Sequence, residues 1–306
     1  MIPPSLKSIA IELTRTCNLK CIMCLHHREG APKDSRPSHM DFDLFKKIID
    51  EYSVSPFSMV SPQFQGEPLM YPKFLEACEY MNRMGVQFRF NTNGTIMDRL
   101  TIKPLSIMEC FHSVVFSIDG TKDSTFEEIR VGANFNLVME NVIDFIEVSN
   151  KPCWINFTIM PENFGELDRF VSYWTGHGVP VTSAFVTDLN GRPTKFHWNS
   201  SVRFPCIPDS MIILTNGDVV PCCRDHWGKM VMGNAWDQTI QEIWFGKKYQ
   251  DLREMQKAKK WDYLKLCSDC DTWMTYVGFA PRERKFLDGI MVKEYPFWAE
   301  YWRSGK

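Results

Sequence analysis

Near the N-terminus, Cys17, Cys21 and Cys24 stand in a C-x3-C-x2-C arrangement within Ile11-Glu12-Leu13-Thr14-Arg15-Thr16-Cys17-Asn18-Leu19-Lys20-Cys21-Ile22-Met23-Cys24. Three thiolates this close can hold three irons of a cubane and leave the fourth open, whereas iron–sulfur clusters ordinarily take four cysteines. A loop that supplies only three invites a small molecule to complete the set. The run at residues 8–13 alternates and carries β-branched Ile9 and Ile11, which predicts a strand ending where the loop begins. Loops at the carboxyl ends of parallel strands are where α/β enzymes keep their chemistry. Two plainer readings compete. A structural zinc site favours one close pair followed by a second. Disulfides suit an exported chain, yet residues 1–7 have neither a charged n-region nor an apolar h-region.

The C-x3-C-x2-C spacing after a first strand resembles the signature of the radical S-adenosylmethionine (SAM) superfamily. That resemblance implies a [4Fe–4S] cluster held by Cys17, Cys21 and Cys24, with SAM on the open iron. Composition is compatible with it. A chain of 306 residues has room for one barrel and a small second module. The net charge of −2 offers no basic footprint for nucleic acid. No apolar run approaches the roughly twenty residues of a membrane span. Eleven cysteines without a secretory signal suit a reducing cytoplasm and metal ligation rather than disulfides. The expected partners are therefore a small-molecule substrate (or a short peptide) and an electron donor such as a flavodoxin or ferredoxin.

Further strand-like runs fall at residues 57–60, 86–90, 113–118, 154–159 and 180–186, with helix-period segments such as 42–52, 72–84 and 136–148 between them. About six β/α units in alternation predict an α/β fold with a parallel sheet. By resemblance this becomes the partial (β/α)6 barrel of the radical SAM type.

Each strand end offers a cofactor contact on the same resemblance. Gln65-Gly66-Glu67-Pro68 is similar to the family's G-G-E-P turn, with Gln65 in place of the first glycine. Gly66 and the Glu67 carboxylate are thereby expected at the amino group of the methionine moiety. Asn93, in Asn91-Thr92-Asn93-Gly94, matches the T-N-G turn, and Ser117 and Asp119, in Ser117-Ile118-Asp119-Gly120, match the S-x-D-G segment that meets the ribose. Arg130 follows where a guanidinium pairs with the SAM carboxylate. Met23 falls where the family packs an apolar residue near the adenine. Read singly, each of these is an ordinary turn, surface or core residue; their order along the chain is what joins them.

A second cysteine set occupies residues 206–270. Asn216-Gly217 between apolar runs signals a hairpin, with Cys206 before it and Cys222 beyond its far end, a helical stretch at 239–244, and then Cys267-Ser268-Asp269-Cys270. This resembles the SPASM/twitch extension of radical SAM enzymes, and its region 229–244 is similar to that of the aminocyclitol-oxidising 2-deoxy-scyllo-inosamine dehydrogenases. The resemblance implies an auxiliary [4Fe–4S] cluster on Cys206, Cys222, Cys267 and Cys270. Tetrahedral zinc on the same thiolates remains open, as does Cys223 in place of Cys222. The resulting division is 1–195 for the partial barrel, 196–275 for the cluster module and 276–306 for an aromatic-rich tail.

The activity so implied is reductive cleavage of SAM to a 5′-deoxyadenosyl radical that takes hydrogen from substrate. The leading expectation is oxidation of an alcohol carbon of a sugar or aminocyclitol, with the auxiliary cluster accepting an electron. The alternative is peptide modification such as thioether formation or epimerisation. A strand starting by Ser8 leaves no room for the peptide-binding module many such enzymes add. A non-enzymatic electron carrier would have no use for a three-cysteine site. Cys223 is the candidate catalytic thiol, a hydrogen donor in an epimerase and otherwise a small packed residue.

Overall fold

The computed structural model describes residues 6–27, 34–53, 59–185, 206, 208–268, 270, 286–287 and 290–291. Six strands, β1 (Ser8–Ile11), β2 (Met59–Ser61), β3 (Phe88–Thr92), β4 (Phe111–Ser117), β5 (Cys153–Ile159) and β6 (Val181–Phe185), alternate with six helices. These are α1 (Phe42–Ser53), α2 (Phe74–Arg83), α3 (Arg99–Ile107), α4 (Asp123–Ile129), α5 (Phe135–Val148) and α6 (Leu167–Gly176). Neighbouring strands are parallel, in registers such as Ile9↔Val60, Val60↔Phe88, Phe90↔Val114 and Phe116↔Ile155.

The helices form for local reasons. Asp98 and Asn134 cap α3 and α5, accepting from Thr101 N and Leu137 N at 2.9 Å, which satisfies a backbone donor that the first turn leaves free. Leu44, Phe45, Ile48, Ile49 and Tyr52 recur at helical spacing on α1 and are all buried. On β3, Phe88 and Phe90 are buried while Arg89 and Asn91 are exposed. One face of the sheet is therefore sealed by helices and the other is open. The sealed side is aromatic: Phe90 meets Phe74 edge-on at 5.0 Å and stacks on Phe111 at 5.6 Å between centroids.

The second half of the chain joins the same sheet. The expected hairpin forms as β7 (Ser210–Ile213) and β8 (Asp218–Val220), and β7 runs parallel to β1 with Ile11 opposite Ile213. Gly217 turns it with φ +87°, and a Cβ there would lie 2.8 Å from Asn234 Oδ1. With β9 (Gly233–Asn234) the sheet has nine strands in the order β6-β5-β4-β3-β2-β1-β7-β8-β9, open rather than closed into a barrel. Helices α7 (Ile240–Phe245) and α8 (Lys247–Lys257) follow, α7 starting with a Thr239–Glu242 capping box. β10 (Phe286–Leu287) and β11 (Ile290–Met291) form a separate antiparallel pair.

Strand β3 starts two residues later than the apolar pattern predicts and runs into the turn motif. The ladder to β4 continues through Asn91↔Val115 and Thr92↔Phe116, so backbone pairing overrides side-chain polarity there. Helix α3 escapes the sequence reading because Pro104 interrupts it. Residues 57–58 of the second predicted strand, Val186 of the last, the expected boundary between 195 and 196, and the tail, apart from its two short strands, lie outside the described residues. Among the described residues no helix is long and apolar enough to cross a membrane.

Removing the Phe90 ring should leave a cavity in the sealed face. Phe90→Ala is expected to lower the unfolding free energy by about 3–5 kcal/mol, read as a lower urea midpoint at unchanged slope.

Candidate active site

Because β1 to β4 are parallel, their carboxyl ends lie on one edge, and every turn named from the sequence emerges there. Cys17, Cys21 and Cys24 follow β1 and are half-buried. Three N–H groups approach two of these sulfurs: Leu19 N at 3.5 Å and Asn93 Nδ2 at 3.9 Å from Cys17 Sγ, and Arg130 Nη1 at 4.0 Å from Cys21 Sγ. Three thiols, two of them approached by N–H donors, fit the donor set of a cluster with one open iron, since hydrogen bonds to sulfur stabilise thiolate ligands. Burial, with smaller contributions from the nearby Glu67, Cys21 and Cys24, pushes the Cys17 thiol up to about 11, so ionisation there is favoured by a metal centre's charge.

The turn after β2 packs directly on the cysteine loop. Gly66 has φ +73°, and a Cβ on it would lie 2.6 Å from Thr16 O and 2.7 Å from Thr14 O. Only glycine fits this approach. Glu67 N donates to Thr16 O at 2.8 Å. The Glu67 side chain is buried and turned inward, accepting from Thr92 Oγ1 and Asn93 N at 2.7 Å each and from Leu69 N at 3.4 Å. The motif places this carboxylate at the methionine amine; in the structure it is held by the buried N–H and O–H donors of the next turn. Burial raises its pKa to about 7, against those hydrogen bonds.

Asn93 donates to Asn18 Oδ1 at 3.0 Å and accepts from Thr95, so it ties the third turn to the cysteine loop. Ser117 ends β4 half-buried, opposite Asn156 of β5. Asp119 is fully buried; its Oδ2 accepts from Arg130 Nε at 2.8 Å and Nη2 at 2.7 Å, and its Oδ1 from Thr158 N at 2.6 Å. Arg130 thus pairs with Asp119. Met23 lies half-buried in the turn between Cys21 and Cys24.

The second cysteine set surrounds a cavity of about 630 Å3 lined by Cys206, Cys222, Cys223, Cys267 and Cys270. Its other wall is the open face of the sheet, Ser8 and Ala10 on β1 and Ser61 on β2. Gln256 on α8 donates to Cys267 Sγ at 3.2 Å and accepts from Cys206 N at 3.0 Å, and Arg224 N lies 3.4 Å from Cys222 Sγ. Among the described residues no three His, Cys, Asp or Glu side chains gather as ligands of a single ion do. Five thiols lining one cavity, with N–H donors at Cys222 and Cys267, fit the donor set of an iron–sulfur cluster. Interaction between the adjacent Cys222 and Cys223 thiols raises the pKa of the first and lowers that of the second. Both thiols of this adjacent pair face the cavity.

Sequence reasoning missed a buried charged network beside the loop. Glu12 is fully buried; its Oε2 accepts from Arg36 Nη1 at 3.0 Å and Thr215 N at 3.1 Å. Asp34 pairs with both Arg15 and Arg36. Arg36 Nη2 and Gln65 Nε2 converge on His226 O at 2.9 and 2.7 Å. Burial raises Glu12 to about 7, chiefly against the pull of Arg36. The one available signal was Glu12 itself, a carboxylate on the same strand face as Ser8 and Ala10; no pattern links it to Arg36 or Thr215.

Comparison with known proteins adds independent support. The family model of the Radical SAM superfamily matches residues 11–173, and that of an iron–sulfur cluster-binding domain (SPASM) matches 206–271. The latter resolves the zinc alternative in favour of a cluster. The chain is 25% identical to the tungsten-containing aldehyde ferredoxin oxidoreductase cofactor-modifying protein of Pyrococcus furiosus, covering 87% of each chain. It is 26% identical to the S-adenosyl-L-methionine-dependent 2-deoxy-scyllo-inosamine dehydrogenase of Niallia circulans, covering 86% of this chain and 92% of that protein. Identity reaches 31% with the AdoMet-dependent heme synthase of Methanosarcina barkeri, over 86% and 90% of the two chains. Among solved structures, BtrN in complex with AdoMet and 2-DOIA aligns with a TM-score of 0.62 at 19% identity, covering 88% of this chain and 94% of that one, a likeness of fold.

Glu67 ionises with a pKa of about 7 in the folded chain and near its ordinary value of 4.5 when unfolded. The native state therefore binds the proton more tightly between those values, and Glu67 makes folding less favourable as pH rises from about 4.5 to about 7. Glu67→Gln is expected to flatten that part of the stability–pH curve by up to about 1.4 kcal/mol per pH unit, measured by urea unfolding across the range.

Proposed function

Because the chain belongs to the radical SAM superfamily and carries a second iron–sulfur cluster-binding domain, we propose that it oxidises an alcohol carbon of a sugar or aminocyclitol, with the second cluster as electron acceptor. The observation that carries this reading is the chemistry of the open sheet face. Asn91, Ser117, Asn156, Thr158 and Thr182 occupy the strand positions turned from the helices, and Asn156 Oδ1 accepts from Thr182 Oγ1 at 3.2 Å. Hydroxyl and amide groups in that density suit a ligand rich in hydroxyls. The cavity that holds the second cysteine set opens on the same face, at Ser8, Ala10 and Ser61. The dehydrogenase of Niallia circulans is similar over nearly its full length.

In this reading residues 1–195 form the catalytic partial barrel, 196–275 the auxiliary module and 276–306 an aromatic-rich tail. Cys17, Cys21 and Cys24 hold the first cluster, and Cys206, Cys222, Cys267 and Cys270 hold the second. When bound, the first cluster and SAM supply a 5′-deoxyadenosyl radical, and the second cluster takes an electron from the substrate. The protein's part is placement. Gly66 lets its turn approach the cysteine loop, Glu67 locks that turn to the Asn93 turn, and Asn93 holds Asn18. Met23, Ser117 and the Gly66 backbone face SAM. The electron for SAM cleavage comes from a flavodoxin- or ferredoxin-type donor.

A second reading, epimerisation or peptide modification, is favoured by one observation: Cys223 lines the cavity and is exposed. A thiol there can return hydrogen to carbon.

Substrate deuterated at the carbinol carbon distinguishes the two. Oxidation puts deuterium into 5′-deoxyadenosine and yields a ketone, and Cys223→Ala continues to turn over. Deuterium from D2O at the product carbon, lost in Cys223→Ala, would establish the epimerase instead. Anaerobic reconstitution is expected to give about eight irons per chain, and alanine at Cys17, Cys21 and Cys24 together to remove about half of them along with all SAM cleavage. Cleavage surviving in that triple variant rules out the whole assignment.

A further inference from the structure

The segment that ends α4 grips the cysteine loop on both sides of Cys21. Lys20 N donates to Val131 O and Ile22 N to Ile129 O, each at 2.9 Å. Between those two straps lies Arg130, 8% exposed. Its Nε and Nη2 are both spent on Asp119 Oδ2, and the third nitrogen, Nη1, lies 4.0 Å from Cys21 Sγ. Asp119 is itself immobilised by Thr158 N on Oδ1, and Asn163 Nδ2 donates to its backbone carbonyl at 3.0 Å. A buried guanidinium with two nitrogens clamped can present the remaining one in only one direction. That direction is the middle cysteine of the loop.

We infer that Arg130, positioned by Asp119, donates to the Cys21 sulfur and sets the reduction potential of the SAM-binding cluster. The inference rests on the reading of Cys17, Cys21 and Cys24 as cluster ligands. The step concerned is uptake of one electron by the cluster, from 2+ to 1+, supplied by an external one-electron donor. A buried positive charge with an N–H on a ligand sulfur favours the more negative, reduced form, and hydrogen bonds to sulfur are a recognised lever on cluster potential. The role is separable from capture of the SAM carboxylate by a potential measured without SAM.

The test is an EPR-monitored redox titration of reconstituted protein without SAM, with dithionite as donor. The SAM-binding cluster is identified as the signal whose line shape changes when SAM is added afterwards. Arg130→Gln is expected to keep its iron and to lower the reduced-to-oxidised ratio at fixed potential about tenfold, a shift of about 59 mV to more negative values for one electron. Arg130→Lys, which keeps the positive charge, should recover part of the shift. An unchanged SAM-free potential in Arg130→Gln, with iron retained and SAM affinity weakened, overturns the inference and assigns Arg130 to the SAM carboxylate. Loss of that signal's iron in both Arg130→Gln and Asp119→Asn overturns it in favour of a role in holding the loop. Unaltered protein with no SAM-responsive signal at all removes the cluster assignment, and the inference with it.

Discussion

The close approach of Gly66 to the carbonyls of Thr14 and Thr16 sets the geometry of the whole carboxyl edge. Backbone touches backbone there, with no side chain between, so the turn after β2 and the loop after β1 behave as one body. Parallel pairing makes this possible by bringing consecutive strand ends to the same edge. Glu67 extends the unit to the third turn through Thr92 and Asn93, and Asn93 returns it to Asn18 in the cysteine loop. The circuit closes on itself. Three thiols on an otherwise irregular loop thereby acquire fixed positions, which ligands of a cluster require.

Buried charge is concentrated at this edge. Glu12, Arg15, Asp34, Arg36, Glu67, Asp119 and Arg130 all lie within or beside the turns, and none of them is left without a partner of opposite charge or a set of hydrogen bonds. Removing such groups from water costs several kcal/mol per ion, and mutual attraction offsets it only in good geometry. Replacing them by apolar residues would stabilise the chain more simply. Their retention is explained by orientation: Asp119 aims Arg130, and Glu12 and Arg36 pin β1 to Thr215 and His226. The polar groups specify direction where the apolar core supplies cohesion.

The same network joins the two cysteine sets. Gln65, which stands where the superfamily turn has glycine, reaches His226 O in the loop after Cys222 and Cys223, and Phe64 stacks on the His226 ring at 5.2 Å. The turn beside the first cluster site is thus bonded to the loop carrying part of the second. Because β7 also pairs directly with β1, the two sites share one rigid sheet. The separation between the two cysteine sets is thereby set by backbone pairing.

The residues in sequence determined the kind of chemistry and the direction of the fold. Cys17, Cys21 and Cys24 carry their meaning in their spacing, the Asn216-Gly217 hairpin in its local backbone preference, and the six strands in alternating apolar runs, all of which are short-range properties. Where side-chain pattern and ladder disagreed, as at Asn91 and Thr92, the partner strand decided. Tertiary structure alone decided what each buried polar group faces. Glu67 and Arg130 were legible as motif residues, but their partners, Thr92, Asn93 and Asp119, come from other turns, and a buried charge takes whichever donor or anion the fold brings within reach. Glu12 finds Thr215 across 203 residues of chain, a contact created when β7 adds to the edge of β1. No local pattern encodes that pairing: burial costs the carboxylate its hydration, and Arg36 and Thr215 offset that cost only once the fold has brought them to it.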